Sequence, residues 1–383
     1  MFTNPVIILI IDNNSPFVLP LVRSFSGYTK VKLDVLLATR QKPNHFIYSR
    51  YLRNVYKEEP ITEENFERIV KKYIIISSAD TIITTRESIS KLIYHHRHEL
   101  EKIVKISPLS DAKTIDTLYN KWELNSWLKG NNFPFSLALP YSKEIGISDI
   151  LNNFSFPILL KPLSGTGGTG IKMVNNKEDL ISGLSLSEIQ SDNYFIQEYI
   201  DGYDIDISFF AVNGEILFYT IQKGIITGHL TYSKGIEFLK NKELYDLTSK
   251  IVSKLNYSGI AHLDFRFDKK KKTYVLIDFN QRYWSSMDGS RIRGVNFPVL
   301  GVAYSMGIQF DYPQYSTGTY YFSNAARKTV IKNLFSKKKY PIKLHDTELR
   351  YLIIDPVPEL VQRVTRLALG IKNWVNRNDP HES

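Results

Sequence analysis

Two short segments late in the chain carry acids at a spacing that could hold a cation. "GIAHLDFRFD" (259–268) and "TYVLIDFN" (273–280) are both strand-like. In the first, alternation puts Leu263, Phe265 and Phe267 on one face and His262, Asp264 and Arg266 on the other. In the second, Val275, Ile277 and Phe279 share a face, while Asp278 and Asn280 share the opposite one. Pairing through the turn at 269–273 would set Asp264 beside Asp278. Two adjacent carboxylates destabilise a sheet unless a cation compensates them. Mg²⁺ suits such a pair, because it takes hard oxygen ligands and keeps positions for water and phosphate oxygens. Asn280 adds a neutral oxygen on the same face. The alternative is ordinary ion pairing of the two acids with Arg266 and Arg282.

A second stretch, "KPLSGTGGTGIKMV" (161–174), gathers a lysine and four glycines between two apolar runs. As a Walker-type loop it fails, since Ile171 follows Gly170 where lysine is needed and Met173 follows Lys172 where Ser or Thr is needed. Gly165, Gly167 and Gly170 match the dinucleotide fingerprint, but the segment after them is β-like, so no helix N-terminus faces them. A strand–loop–strand flap, with backbone N–H groups over phosphates, is what remains. No H-R-D catalytic loop accompanies it, which sets protein kinases aside.

The elements that must position these residues fall into two patterns. The first is α/β. Val6–Ile11 reads as a buried strand, residues 15–25 as a helix with Ser15 as N-cap and Pro16 at its first position, and residues 30–39 as a second strand. A helical stretch beginning near Thr62, an apolar run at Tyr73–Ile76 and "DTIITT" (80–85) continue the alternation. This predicts a parallel sheet with covered faces. Residues 86–131 read as mainly helical and 131–140, with two prolines, as a connector. Beyond them the pattern turns to hairpins, the clearest at Asn213-Gly214.

Composition bounds the function. With 383 residues the chain divides into subdomains, and with no cysteine it has no thiolate metal site, disulfide or cysteine nucleophile. The net charge of +10 favours anionic partners, yet the lysines are dispersed and no nucleic-acid motif is present. The apolar run at the N-terminus is short and Asp12 closes it, so a cytoplasmic protein is expected.

The ordered set "NKWELNSWLKGNNFPFSLALP", "FPILLKPLSGTGGTGIKMV", "YFIQEYIDGYDIDIS", "GIAHLDFRF" and "LIDFNQRYWSS" resembles the ATP-grasp superfamily. That resemblance implies an N-terminal α/β domain (1–108) and an α+β ATP-grasp domain (109–310) with antiparallel-rich sheets and a glycine-rich flap; a helical, basic C-terminal extension (311–383) lies outside it. It implies ATP with Mg²⁺ (or Mn²⁺) and an ADP-forming ligase that activates a carboxylate as an acyl phosphate and joins it to an amine. Lys161 and Lys121 would reach the phosphates, and Ser164, Gly165, Gly167 and Gly168 would form the flap. Gln197 and Glu198 would hold the adenine edge, with Ile200 beside the ring and Asp204 facing the ribose. Asp264, Asp278 and Asn280 would be the metal ligands, and Arg282, with Lys161, would be catalytic. Asp204 and Asp278 stand where the family more often has glutamate, and "NQR" replaces Asn-Pro-Arg. The shorter acid at 278 keeps open a second reading, an inactive ATP-binding regulatory or assembly module.

Arg291 and Arg293 are candidates for a substrate oxyanion or for a solvent-facing loop. His229 and His262 are candidate acid–base groups. The expected partners are small-molecule carboxylate and amine substrates, no nucleic acid, a peripheral membrane contact through the C-terminal basic helix, and a homo-oligomer as an open alternative. In that helix Val361, Val364, Leu367, Ala368, Ile371 and Trp374 follow helical spacing, with Arg363, Arg366 and Lys372 off the stripe.

Overall fold

Three sheets carry the chain. A computed structural model describes all residues except 143–144, 166–167, 187–188, 190–192, 229–230, 336–341 and 378–383. The first sheet is parallel and contains β1 (Val6–Asp12), β2 (Val31–Ala38), β3 (Leu52–Glu58), β4 (Thr81–Thr84) and β5 (Lys105–Ile106) in the order β3-β2-β1-β4-β5. Its central strands are buried on both faces, which explains the unbroken apolar run of β1. The run Tyr73–Ile76, however, lies in the helix Phe66–Ser77, whose buried Phe66, Ile69, Val70, Tyr73 and Ile74 repeat at helical spacing. Another helix begins at Val18 rather than Pro16, because Ser15 is used in the turn after β1: its N–H bonds to Asp12 and its hydroxyl accepts from Phe17.

The second sheet is small and antiparallel. It orders β6 (Ala138–Pro140), β7 (Ile158–Pro162), β8 (Lys172–Val174) and β9 (Tyr194–Glu198) as β6-β9-β7-β8. The glycine loop joins β7 to β8, and Gly165, Gly168 and Gly170 all have positive φ, a conformation other residues rarely adopt.

The third sheet has six strands. These are β10 (Gly202–Val212), β11 (Glu215–Gly228), β12 (Thr231–Phe238), β13 (Gly259–Asp268), β14 (Thr273–Asn280) and β15 (Gly318–Tyr321), in the order β14-β13-β10-β11-β12-β15. Asn213 and Gly214, both at positive φ, close the β10–β11 hairpin. One strand of this sheet, β15, comes from the segment read as a C-terminal extension. The far face packs Ile205, Ile207, Phe209, Leu263, Phe265 and Phe279 into a core against the helices Lys121–Gly130 and Lys242–Lys254.

Candidate active site

Strand register draws the acids into a row. Asp206 on β10 lies opposite Asp264 on β13, and Asp264 lies opposite Asp278 on β14. The row depends on a bulge. The β13–β14 turn closes with Asp268 opposite Thr273, and that register carried onward would set Asp264 against Ile277 and Asp278 against Leu263 on the core side. The irregularity after Asp264 shifts the pairing by one residue and brings Asp278 round. Consequently Tyr274, Leu276 and Phe279 enter the core, while Ile277 and Asp278 both line the open face. The simple alternation expected for Val275, Ile277 and Phe279 does not hold, because one extra residue inverts the facing partway along the strand.

Cations already compensate the row. Lys121 Nζ lies 2.9 Å from Asp278 Oδ1, and His262 Nε2 lies 3.1 Å from Asp264 Oδ1. Burial opposes ionisation of both members of the second pair, but their mutual hydrogen bond and charges hold Asp264 below the usual carboxylate range and His262 above its ordinary value. His262 is oriented by Ser208 Oγ at 2.8 Å from Nδ1 and stacks on Trp284. Asp206 has weaker compensation. Burial, then the charge of Asp264, pushes it up to about 7, with Gln222 Nε2 donating to it at 3.1 Å. Ser286 Oγ donates in turn to Gln222 Oε1 at 3.0 Å, which fixes the amide's orientation.

The two lysines arrive from different elements. Lys121 is the first residue of the helix Lys121–Gly130, whose N-cap Asn120 accepts from the N–H groups of Trp122 and Glu123. Its Nζ also donates to the Gly165 carbonyl at 3.2 Å, touching the flap. Lys161, on β7, is buried, and its Nζ donates to Gln197 Oε1 at 2.9 Å. Burial, then the charge of Lys121, lowers Lys161 to about 8, although Asp278 and Asp264 pull the other way. Both lysines, Gly165, Gly168 and the acid row share one cavity of about 510 Å³. At its other end Glu198, Ile200 and Asp204 also line the wall. Arg266 ties that end together, donating to the Ile200 carbonyl at 2.5 Å and pairing with Asp204 Oδ1 at 2.6 Å.

The sequence pattern that defines the ATP-grasp domain matches residues 118–286. The chain carries an ATP-grasp domain. It is similar to D-alanine–D-alanine ligase B of Clostridium tetani, with 27% identity over 188 residues, 45% of this chain and 52% of that protein. It is also similar to D-aspartate ligase of Enterococcus faecium, with 21% identity over 257 residues, 62% of this chain and 59% of that protein. The chain thus spans about half the length of the curated relatives it matches, 52% and 59% of these two. Among solved structures, N5-carboxyaminoimidazole synthetase from Staphylococcus aureus, complexed with ADP, superposes with a TM-score of 0.66 at 15% identity, covering 83% of this chain and 82% of that one. L-amino acid ligase from Bacillus licheniformis gives 0.60 at 17% identity, covering 84% and 80%. These two likenesses establish the fold.

Within the ATP-grasp domain the predicted residues gather unevenly. Lys121, Lys161, Gly165, Gly168, Gln197 and Glu198 line the cavity, as do Ile200, Asp204, Asp264 and Asp278. Ser164 is in the same loop but does not line it, and Gly167 lies outside the described residues. Asn280 and Arg282 are buried beside it. Asn280 Nδ2 donates to Asp264 at 3.2 Å, and its Oδ1 accepts from Arg282 at 2.7 Å. Arg282 also pairs with Glu87 of the N-terminal domain at 3.0 Å, where burial raises the Glu87 carboxyl. The ordinary ion pairs weighed for Asp264 and Asp278 are not formed, since Arg266 and Arg282 are engaged with Asp204 and Glu87.

Arg291 and Arg293 are not substrate groups in this arrangement. Arg291 pairs with buried Asp288 at 3.1 Å, and Arg293 bonds Asp346 and the carbonyls of Thr317 and Thr319. His229 lies outside the described residues. Sequence reasoning missed Asp206, Gln222 and Ser286. The alternation of "DIDIS" already set Asp206 on the face of Asp204, and that signal could have found it. Gln222 and Ser286 join only through the β10–β11 register and the loop after β14.

Proposed function

We propose that the chain is an ATP- and Mg²⁺-dependent, ADP-forming ligase that joins a carboxylate to an amine. The observation that carries this reading is the convergence of two lysines, a glycine flap and a row of carboxylates in one cavity. The donor set fits Mg²⁺: Asp264 and Asp278 offer hard oxygens side by side, and the lysine now balancing Asp278 sits where phosphate would also draw it. Asp264 and Asp278 would hold the ion, with the Asn280 amide beside them. When bound, Mg²⁺ would neutralise charge on the phosphates during transfer.

The chain's own residues do the rest. Lys161, held by Gln197, places a positive charge at the floor of the site, and Lys121 supplies another that can pass from Asp278 to a phosphate. The flap closes over them and excludes water from an acyl phosphate, which the amine then attacks with release of phosphate. The D-amino-acid ligases among the relatives and the structural neighbours support this reaction class. The proposal sets the reaction in the cytoplasm, where ATP is available, with small-molecule substrates. Among the described residues no helix is long and apolar enough to cross a membrane.

The test is Mg²⁺-dependent ADP release on a deproteinised metabolite extract. The wild type should release ADP above background, and Asp278→Asn and Lys161→Ala should each reduce it at least about a hundredfold. A wild type that ATP stabilises against heat, yet which releases no ADP with any extract fraction, would replace this proposal with the binding-module reading. The Lys121–Asp278 ion pair is the feature that favours that second reading.

A further inference from the structure

The last helix, Pro356–Arg377, is mounted with its apolar side outward. Tyr351, Asp355 and Pro358 face the body and are buried. Val357, Leu360, Val364 and Leu367, spaced three and four residues apart, are instead 47–68% exposed. Four large aliphatic side chains in one continuous line are more than scattered surface residues, and such a line ordinarily marks a docking face. Nothing else among the described residues covers it.

Charge selects the occupant. Every acid from 346 to 359 is turned inward: Asp346 pairs with Arg293, Glu348 accepts from the Ser323 N–H, and Asp355 and Glu359 pair with Arg23. After Glu359 the next acid in sequence is Asp379, while Arg363, Arg366, Lys372 and Arg377 lie between. A second copy of this helix would set arginine against arginine along the seam with no acid to pair. An apolar line flanked by Arg363 and Arg366, with its nearest acids engaged by Arg23, matches an anionic lipid surface, where the aliphatic groups enter the acyl boundary and the arginines meet the headgroups.

We infer that the C-terminal helix docks this chain on an anionic membrane surface, lying in the plane of the interface through the line from Val357 to Leu367. The docking is independent of ligation, since the helix contributes nothing to the cavity.

The experiment is co-flotation of the full chain with phosphatidylcholine vesicles, with and without phosphatidylglycerol. The wild type should float with the anionic vesicles and be released by added salt. Leu360→Ser, Val364→Ser and Leu367→Ser combined should lower partitioning at least about tenfold. Arg363→Gln with Arg366→Gln should lower it by about fivefold per charge removed. Both variants should keep the wild-type melting temperature, because the substituted groups face outward. Failure of the wild type to float, or flotation that neither variant weakens, overturns the inference. So does a dimer in solution that the triple substitution dissociates, which would assign the seam to a second copy.

Discussion

At the scale of single residues, the site is a balance of buried charges. Lys161 shows it most clearly, because burial and Lys121 lower it to about 8 while the acids retain part of its basicity. Below pH 8 the folded and unfolded chains both hold the proton, and the folded chain bears the full cost of the buried charge. Between about 8 and 10.5 the folded chain releases the proton while the unfolded chain keeps it, so Lys161 makes stability rise with pH across that window. ATP phosphates would reverse the depression by supplying opposite charge. Binding of ATP at pH 8.5 should therefore draw most of one proton from solution, and markedly less in Lys161→Met. Calorimetric titration in two buffers of different ionisation enthalpy reads this directly. Identical heats in the two buffers would show that Lys161 is charged before the nucleotide arrives.

At the scale of elements, two backbone features decide where those residues go. One is the bulge in β14, and the other is Gly202, where β10 begins after the small sheet. A Cβ built at Gly202 would stand 1.7 Å from the Phe267 carbonyl oxygen on β13, and backbone cannot yield there as a side chain could. Gly202→Ala should accordingly cost about 2–4 kcal/mol in denaturant unfolding, and weaken ATP binding by displacing Ile200 and Asp204. An unchanged midpoint would mean that β10 and β13 can separate at this end without loss. These features also mark how far the sequence could be read. The parallel sheet, the flap and the Asn213-Gly214 hairpin were legible because apolar period and turn chemistry are local. The neighbourhood of Asp264 and Asp278 was legible too, but alternation alone leads to the wrong face for Val275 and Ile277, since a bulge leaves no local signature in "TYVLIDFN". β3 went unread because "LRNVYKE" lies at the edge of its sheet and lacks an apolar run. Arg291 and Arg293 went to structural partners because their acids, Asp288 and Asp346, are supplied in part by a segment more than fifty residues away in Arg293's case, a distance no motif spans.

At the scale of the whole molecule, one segment of the C-terminal region ties the ATP-grasp domain to the N-terminal sheet. Asp288, buried beside the site loop that carries Ser286, accepts from the hydroxyls of Tyr320 and Tyr351 at 2.7 Å each and from Arg350. A few residues further on, Asp355 and Glu359 receive Arg23 from the helix Val18–Ser24, and Asp355 also accepts from Ser49 and the Arg50 N–H. Arg23 is 4% exposed and lies under the Tyr351 ring, so its charge is matched by buried partners rather than by water. Replacing it with methionine would fill much of the space but leave two carboxylates facing an apolar wall. A buried ion pair broken on one side costs about 3–5 kcal/mol, more than the pair itself contributes over an apolar substitute. The cost should fall on the strap, because residues 351–359 can detach without opening either sheet. Arg23→Met should thus accelerate amide exchange across 351–359 at least about a hundredfold at neutral pH. Exchange in β1 and β13 should stay slow. If 351–359 remained as protected as in the wild type, the strap would be held by Asp288 and its tyrosines alone, and the N-terminal sheet would be joined to the ATP-grasp domain chiefly through the buried core that Val22 and Phe25 share with Phe210, Phe218 and Phe297.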